Sequence, residues 1–181
     1  MKLVRWSIPM ALLVISIPIV ADVNPKAPKE TEQFEFMVGT WDCKTKFMTG
    51  PSGEYAEGKA TWIGDYYLDG WAIEDTWISK LPDGSTIKGV NIRSFNKETG
   101  KWDNRWLAQG SLQWKYFESE MVDDTMVMTG GEGVDPVGEF VDRNTFFDIK
   151  KDSWSWRKDR SYDGGKTWVE GIGYIEAKRA D

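Results

Sequence analysis

The sequence predicts an all-β fold: an antiparallel up-and-down β-barrel of about ten strands, preceded by a short N-terminal helical turn. Three observations predict it. From Gly39 onward, segments with period-2 alternation and many β-branched or aromatic residues follow one another, each bounded by Gly, Asp, Asn or Pro. No long helical period occurs after Val38, so the chain has no βαβ unit. The segments are short and evenly spaced, as in sandwiches and barrels. Closure removes every sheet edge, and strands joined by hairpins close most simply as an up-and-down barrel. A sandwich satisfies the same alternation.

The elements can be justified in chain order. Residues 1–21 read as a secretory signal peptide: Lys2 and Arg5 give a positive start, Trp6 to Val20 are almost wholly apolar, and Ala21 precedes Asp22. A membrane helix needs roughly 20 apolar residues, and this run is shorter and carries Pro9 and Pro18. The expectation is a secreted or periplasmic protein with no stable membrane insertion after cleavage. Residues 22–33 form a polar leader, with a helical turn through Glu32 to Met37, and residues 34–181 form the barrel domain.

Within that domain "TWDCKTKFMT" alternates and "GPSGE" turns; "YAEGKATWI" alternates and "GDYYLDG" turns. "WAIEDTWISK" then meets "LPDGS", and "TIKGVNIRSF" meets "NKETG". "KWDNRWLA", "LQWKYFESE", "TMVMTG", "GEFVDRNTFFDIK", "SWSWRKDRS" and "KTWVEGIGYIEAKR" complete the strands. "GGEGVDPVGE" reads as a mobile loop able to lid a barrel mouth, since its acidic residues lack the spacing of a calcium loop.

Composition narrows the function. The chain has 23 basic and 29 acidic residues; without Lys2 and Arg5 the balance is 21 to 29, a net charge of −8. That acidity, with no basic run, argues against nucleic acid as a partner. Lone Cys43 cannot form an intrachain disulfide and reads as a small buried hydrophobe. Packing alone must hold the core, and ten of the eleven tryptophans lie beyond residue 21 to supply it. No histidine is present, which removes Ser-His-Asp and Cys-His catalysis, imidazole zinc sites and histidine-ligated haem. No metal or cofactor is therefore expected, and no feature fixes an oligomeric state.

Gly39-Thr40-Trp41, within "FEFMVGTWDCK", resembles the G-x-W motif that opens the first strand of lipocalins and other calycins. The resemblance implies that Trp41 plugs one end of a barrel. It also implies a basic residue near the last strand packed over the ring by cation–π contact, and Arg179 is the matching position. The ordered set F-x-F-x-x-G-x-W, L-D-G-W, R-S-F-N, T-G-K-W and D-G-G-K-T-W resembles a family of bacterial lipocalin-like domains of unknown function, across residues 34–179. The lipocalin T-D-Y motif and a C-terminal helix are absent.

"SYDGGKTW", residues 161–168, fits the Asp-box pattern of β-propellers through Ser161, Asp163, Gly165, Thr167 and Trp168. It occurs once, so it reads as a stapled hairpin turn rather than a sign of glycosidase chemistry.

The candidate site rests on aromatic strand faces. Trp71, Ile73, Asp75 and Trp77 share one face; Trp102, Asn104, Trp106 and Ala108 share another, and Trp114 opens the next strand. Aromatic walls with a few placed polar groups make either a packed core or a small-molecule pocket, in which Asp75 and Asn104 would orient the ligand. Arg93 shares its face with Asn91 and Phe95, and an inward side chain there would meet an acid group. Arg105, opposite in phase to Trp106, points outward if the tryptophans point in, and the remaining strand arginines read mostly as surface partners of Glu74, Asp103 or Asp159. The expected ligand is a small apolar or aromatic molecule. Two alternatives stand beside a binding protein: a histidine-independent lyase, isomerase or cyclase in the same barrel, and a carbohydrate-binding module using exposed tryptophans.

Overall fold

The computed structural model describes residues 22–50, 53–81 and 84–180; the expected signal peptide, residues 1–21, lies outside them. A 3-10 helix, Lys29–Met37, leads into ten strands: β1 Gly39–Met48, β2 Tyr55–Tyr67, β3 Ala72–Lys80, β4 Thr86–Asn96, β5 Lys101–Ala108, β6 Lys115–Val122, β7 Thr125–Val134, β8 Glu139–Lys150, β9 Ser153–Ser161 and β10 Val169–Arg179. Each strand pairs antiparallel with its neighbour in sequence, and β1 pairs with β10, so the sheet closes into one barrel. The up-and-down barrel expected from the alternation, and implied by the resemblance to lipocalins, is the observed fold, and the sandwich is not.

Successive side chains of a strand point to opposite faces, and the burial pattern shows which face is inside. Trp41, Cys43 and Thr45 of β1, Ala60 and Trp62 of β2, Ile73 and Asp75 of β3, and Asn91 and Arg93 of β4 are buried at every second position. Trp102 and Asn104 continue the series on β5, as do Met126 and Met128 on β7, Asp142, Asn144 and Phe146 on β8, and Ile175 and Ala177 on β10.

One end of the barrel is plugged. Trp41 is fully buried beneath the 3-10 helix and donates its indole N–H to the Met37 carbonyl at 2.9 Å. The Arg179 guanidinium lies 4.2 Å from its ring centroid and donates to the carbonyls of Val38 and Lys151 and to Asp152. Phe34 packs edge-on against Trp102 with centroids 4.8 Å apart, and Trp154 packs against Trp41, Trp62 and Phe146.

Two expectations need correction. The helix begins at Lys29, not Glu32, and the leader is fastened to the barrel: Thr31 is fully buried, and Asn24 N–H donates to the Gly70 carbonyl at 3.0 Å. Gly70, at φ 82°, lets that chain pass, since a Cβ would stand 2.2 Å from the Asp22 carbonyl oxygen. Second, most of "GGEGVDPVGE" is strand rather than loop. Gly130 to Val134 belong to β7, across a bulge, and only Asp135–Gly138 form the turn. That turn is tied down: Asp135 accepts from the backbone N–H groups of Val137 and Gly138, from Arg160 and from Tyr162.

Candidate functional site

Toward the unplugged end the barrel encloses a cavity of about 200 Å³. Its walls are aromatic: Trp62, Trp77, Trp106 and Trp156, with Phe47, Phe117 and Phe146. Met128 and Ile175 add apolar surface, and Asn91, Arg93, Asn144 and Lys158 supply the polar groups. Gly89 makes room for one wall, because the Trp106 ring lies where a Cβ would stand, 2.0 Å away.

A buried polar network supports the cavity. Asp75 is sealed from solvent and accepts three hydrogen bonds: Oδ2 from Arg93 Nε at 2.7 Å, Oδ1 from Trp62 Nε1 at 2.7 Å and from Asn91 Nδ2 at 3.0 Å. Arg93, also sealed, donates from Nη1 to Asn104 Oδ1 at 3.0 Å, and its guanidinium stacks 4.8 Å from the Phe34 centroid. Asn104 in turn donates to Ser119 Oγ at 2.8 Å. A buried charge must be paired and hydrogen-bonded to be tolerated, and here Asp75 and Arg93 neutralise each other.

The seven sequence candidates divide three ways. Trp77, Arg93 and Trp106 line the cavity; Asp75 and Asn104 lie one layer behind it, holding Trp62, Asn91 and Arg93 in place. Trp71 and Trp114 lie elsewhere. Trp71 belongs to the turn Leu68–Trp71, where Leu68, Asp69 and Gly70 all have positive φ, so the phase of β3 starts at Ala72 and leaves Trp71 43 % exposed. Trp114 precedes β6 in the β5–β6 loop and is 49 % exposed. In an up-and-down barrel those two connections sit at opposite ends, so the exposed tryptophans among the described residues, Trp71 and Trp114, form no row on which a sugar chain could stack.

Three polar cavity residues were not among the candidates. Asn91 and Asn144 each carry a side-chain Oδ1 that is buried without a partner. Asn91 cannot be turned around, because its Nδ2 is committed to Asp75. Lys158 Nζ stands 2.7 Å from Asp142 Oδ2. Burial pushes its amine below the ordinary lysine range; Asp142 opposes that, while Arg160 and Lys115 add to it. The signal was present in "SWSWRKDRS", where Lys158 and Arg160 share the phase of Trp154 and Trp156.

The same stretch corrects the view of the strand arginines as weak surface partners. Arg160 holds Asp142 and Asp135 and stacks 3.5 Å from the Phe140 centroid. Arg143 and Arg157 lie on the outer face and clamp Asp159, which is fully buried beneath them. Arg105 points outward, over the Tyr116 ring at 5.3 Å. Cys43 is buried, and burial first, then Asp42, pushes its thiol up to about 12, away from any nucleophilic role. Among the described residues no group of His, Cys, Asp or Glu gathers that could hold a metal ion.

The Asp-box is a staple. Asp163 Oδ1 accepts from Ser161 Oγ and from the N–H groups of Lys166 and Thr167, and Oδ2 accepts from Thr167 Oγ1 at 2.7 Å. Trp168 folds back beneath the Arg143 guanidinium, 4.3 Å from its ring centroid.

No protein-family model matches the chain, and no curated protein matches it. Solved structures do. One is Rv2717c from M. tuberculosis, with a TM-score of 0.61 at 12 % identity, covering 88 % of this chain and 100 % of that one. Another is the S-type phycobiliprotein lyase CPES from Guillardia theta, with a TM-score of 0.56 at 13 % identity, covering 83 % of this chain and 92 % of that one. At such identities the likeness concerns the fold, and the fold they share with this chain is the closed, lipocalin-like barrel.

Proposed function

We propose that the chain binds one compact, mainly aromatic molecule inside its barrel and does so outside the cytoplasm, as the residues 1–21 suggest. The observation that carries the reading is the aromatic-walled cavity of about 200 Å³, among whose lining residues Asn91 and Asn144 each keep a buried side-chain Oδ1 without a partner. A buried acceptor left unpaired costs about 1–3 kcal/mol, and a ligand N–H or O–H removes that cost. Apolar cavities of about 150 Å³ take a benzene ring, so one ring with a small polar substituent suits the space. The neighbour described as a phycobiliprotein lyase supports ligand handling on this fold by analogy alone.

The test is native mass spectrometry of the exported protein, followed by titration of its tryptophan fluorescence with phenol, indole and benzyl alcohol. A stoichiometric extra mass, or saturable quenching by one of these probes, is the expected result. A clean apo mass with no response to any probe overturns the reading.

An enzyme in the same barrel is the second reading, favoured by one observation: the amine and carboxylate of Lys158 and Asp142 are in contact at the cavity wall. A pair of that kind can move a proton.

A further inference from the structure

We propose that Lys158 captures a carbonyl compound, an aromatic aldehyde or ketone, as an imine on Nζ inside the cavity. The proposal rests on the binding reading above and names the ligand class it serves.

The argument starts from position. Lys158 projects from β9 into the same space as Trp156 and Asn144, in phase with them across the β8–β9 pair. Only about a quarter of its side chain is exposed, the remainder being covered by the barrel wall. Its counter-charge is shared: Asp142 also receives Arg160 Nε at 2.8 Å and Arg160 Nη2 at 3.2 Å. Two cations thus compete for one carboxylate, and Lys115 adds a third positive charge at the mouth, held by the carbonyls of Gly131 and Glu132. An amine so placed gives up its proton more readily than a solvated lysine, which is the condition for nucleophilic attack on a carbonyl.

The step balances without a co-reactant. Lys158 passes one proton to Asp142 Oδ2, and its freed lone pair attacks the carbonyl carbon. The nitrogen proton moves to the oxygen to give a neutral carbinolamine. Asp142 then returns its proton to that hydroxyl, the C–O bond breaks, and water leaves. The ammonium of Lys158 has become an iminium that keeps Asp142 as its counter-ion, so the buried charge is unchanged. Trp62, Trp106 and Trp156 give an aromatic substituent its contact and limit the access of water that would reverse the step.

The experiment incubates the exported protein with benzaldehyde and sodium cyanoborohydride, then locates benzylated lysines by peptide mapping. The expected result is one benzyl group per chain, on Lys158, formed with a pH midpoint below that of the surface lysines. Lys158→Arg, which keeps the charge but forms no imine, abolishes that adduct, and Asp142→Asn slows it. Benzyl alcohol, which fits the same space but has no carbonyl, protects Lys158 in the unaltered protein, so the test stands even if a variant fails to fold. If benzyl alcohol binds while benzaldehyde labels lysines indiscriminately, the imine proposal is overturned and the binding reading survives. If benzyl alcohol neither binds nor protects and Lys158 stays unlabelled, both fall.

Discussion

Arg93 Nε lies 2.7 Å from Asp75 Oδ2, and both side chains are sealed inside the barrel. Removing one member of such a pair strands the other as an unpaired buried charge, which costs about 3–5 kcal/mol. Asp75→Asn is therefore expected to lower stability by about that amount in urea denaturation. The double variant Asp75→Asn, Arg93→Met takes away the stranded cation and should recover most of the loss. Equal instability of single and double variants would show that shape, not charge, dominates at this position.

Arg179 closes the barrel by covering Trp41 and by donating to three partners around the rim. Lysine can carry the charge but not the planar fork. Arg179→Lys should accordingly lose about as much as Arg179→Ala, about 1–2 kcal/mol each. Thermal unfolding of the two variants side by side distinguishes this from a purely electrostatic role, for which lysine would restore stability.

The pairing of Trp41 with Arg179 was legible because it depends on a motif at each end of the chain, and closure of the sheet brings those ends together. The grouping of residues on the faces of β3, β4 and β5 was legible as well, since period 2 places Asp75 with Trp77, Asn91 with Arg93 and Asn104 with Trp106. Which face is inside was not, because alternation is the same for either direction. What failed was the edge of each period. Trp71 and Trp114 stand one residue before their strands, where a turn has already broken the phase. Lys158 escaped for a different reason: the arginines beside it in "RKDR" read as surface partners of acids such as Asp159, whereas the strand divides the four charges between two faces. Arg157 and Asp159 meet outside, and Lys158 and Arg160 turn inward on stems long enough to reach Asp142.

Asp163 contributes stability that depends on pH. Hydrogen bonds from the Thr167 backbone and hydroxyl, then from Ser161 and Lys166, hold its carboxyl well below the usual carboxylate range. The unfolded chain takes up the proton first, near its ordinary value of about 4. The contribution is therefore complete above that pH and fades as pH falls toward the lower folded value. Asp163→Asn should be less stable than the unaltered protein at pH 6, with the gap in melting temperature narrowing toward pH 3. A gap that stays constant would mean that the ionised carboxylate is not what holds the turn.

Gly89 connects the backbone of β4 to the shape of the cavity. The Trp106 indole passes directly over it, and an added Cβ would stand 2.0 Å from that ring. Gly89→Ala must displace the indole, and crowding of this kind costs about 1–3 kcal/mol. Because Trp106 is also a cavity wall, its displacement should weaken binding of an aromatic probe such as benzyl alcohol by at least about tenfold, or 1.4 kcal/mol. The smaller ring of Trp106→Phe leaves room for the methyl, so the double variant Gly89→Ala, Trp106→Phe should regain stability. If Gly89→Ala destabilises the barrel but leaves probe affinity unchanged, the ring has moved away from the ligand, and Trp106 is a packing residue rather than a wall of the site.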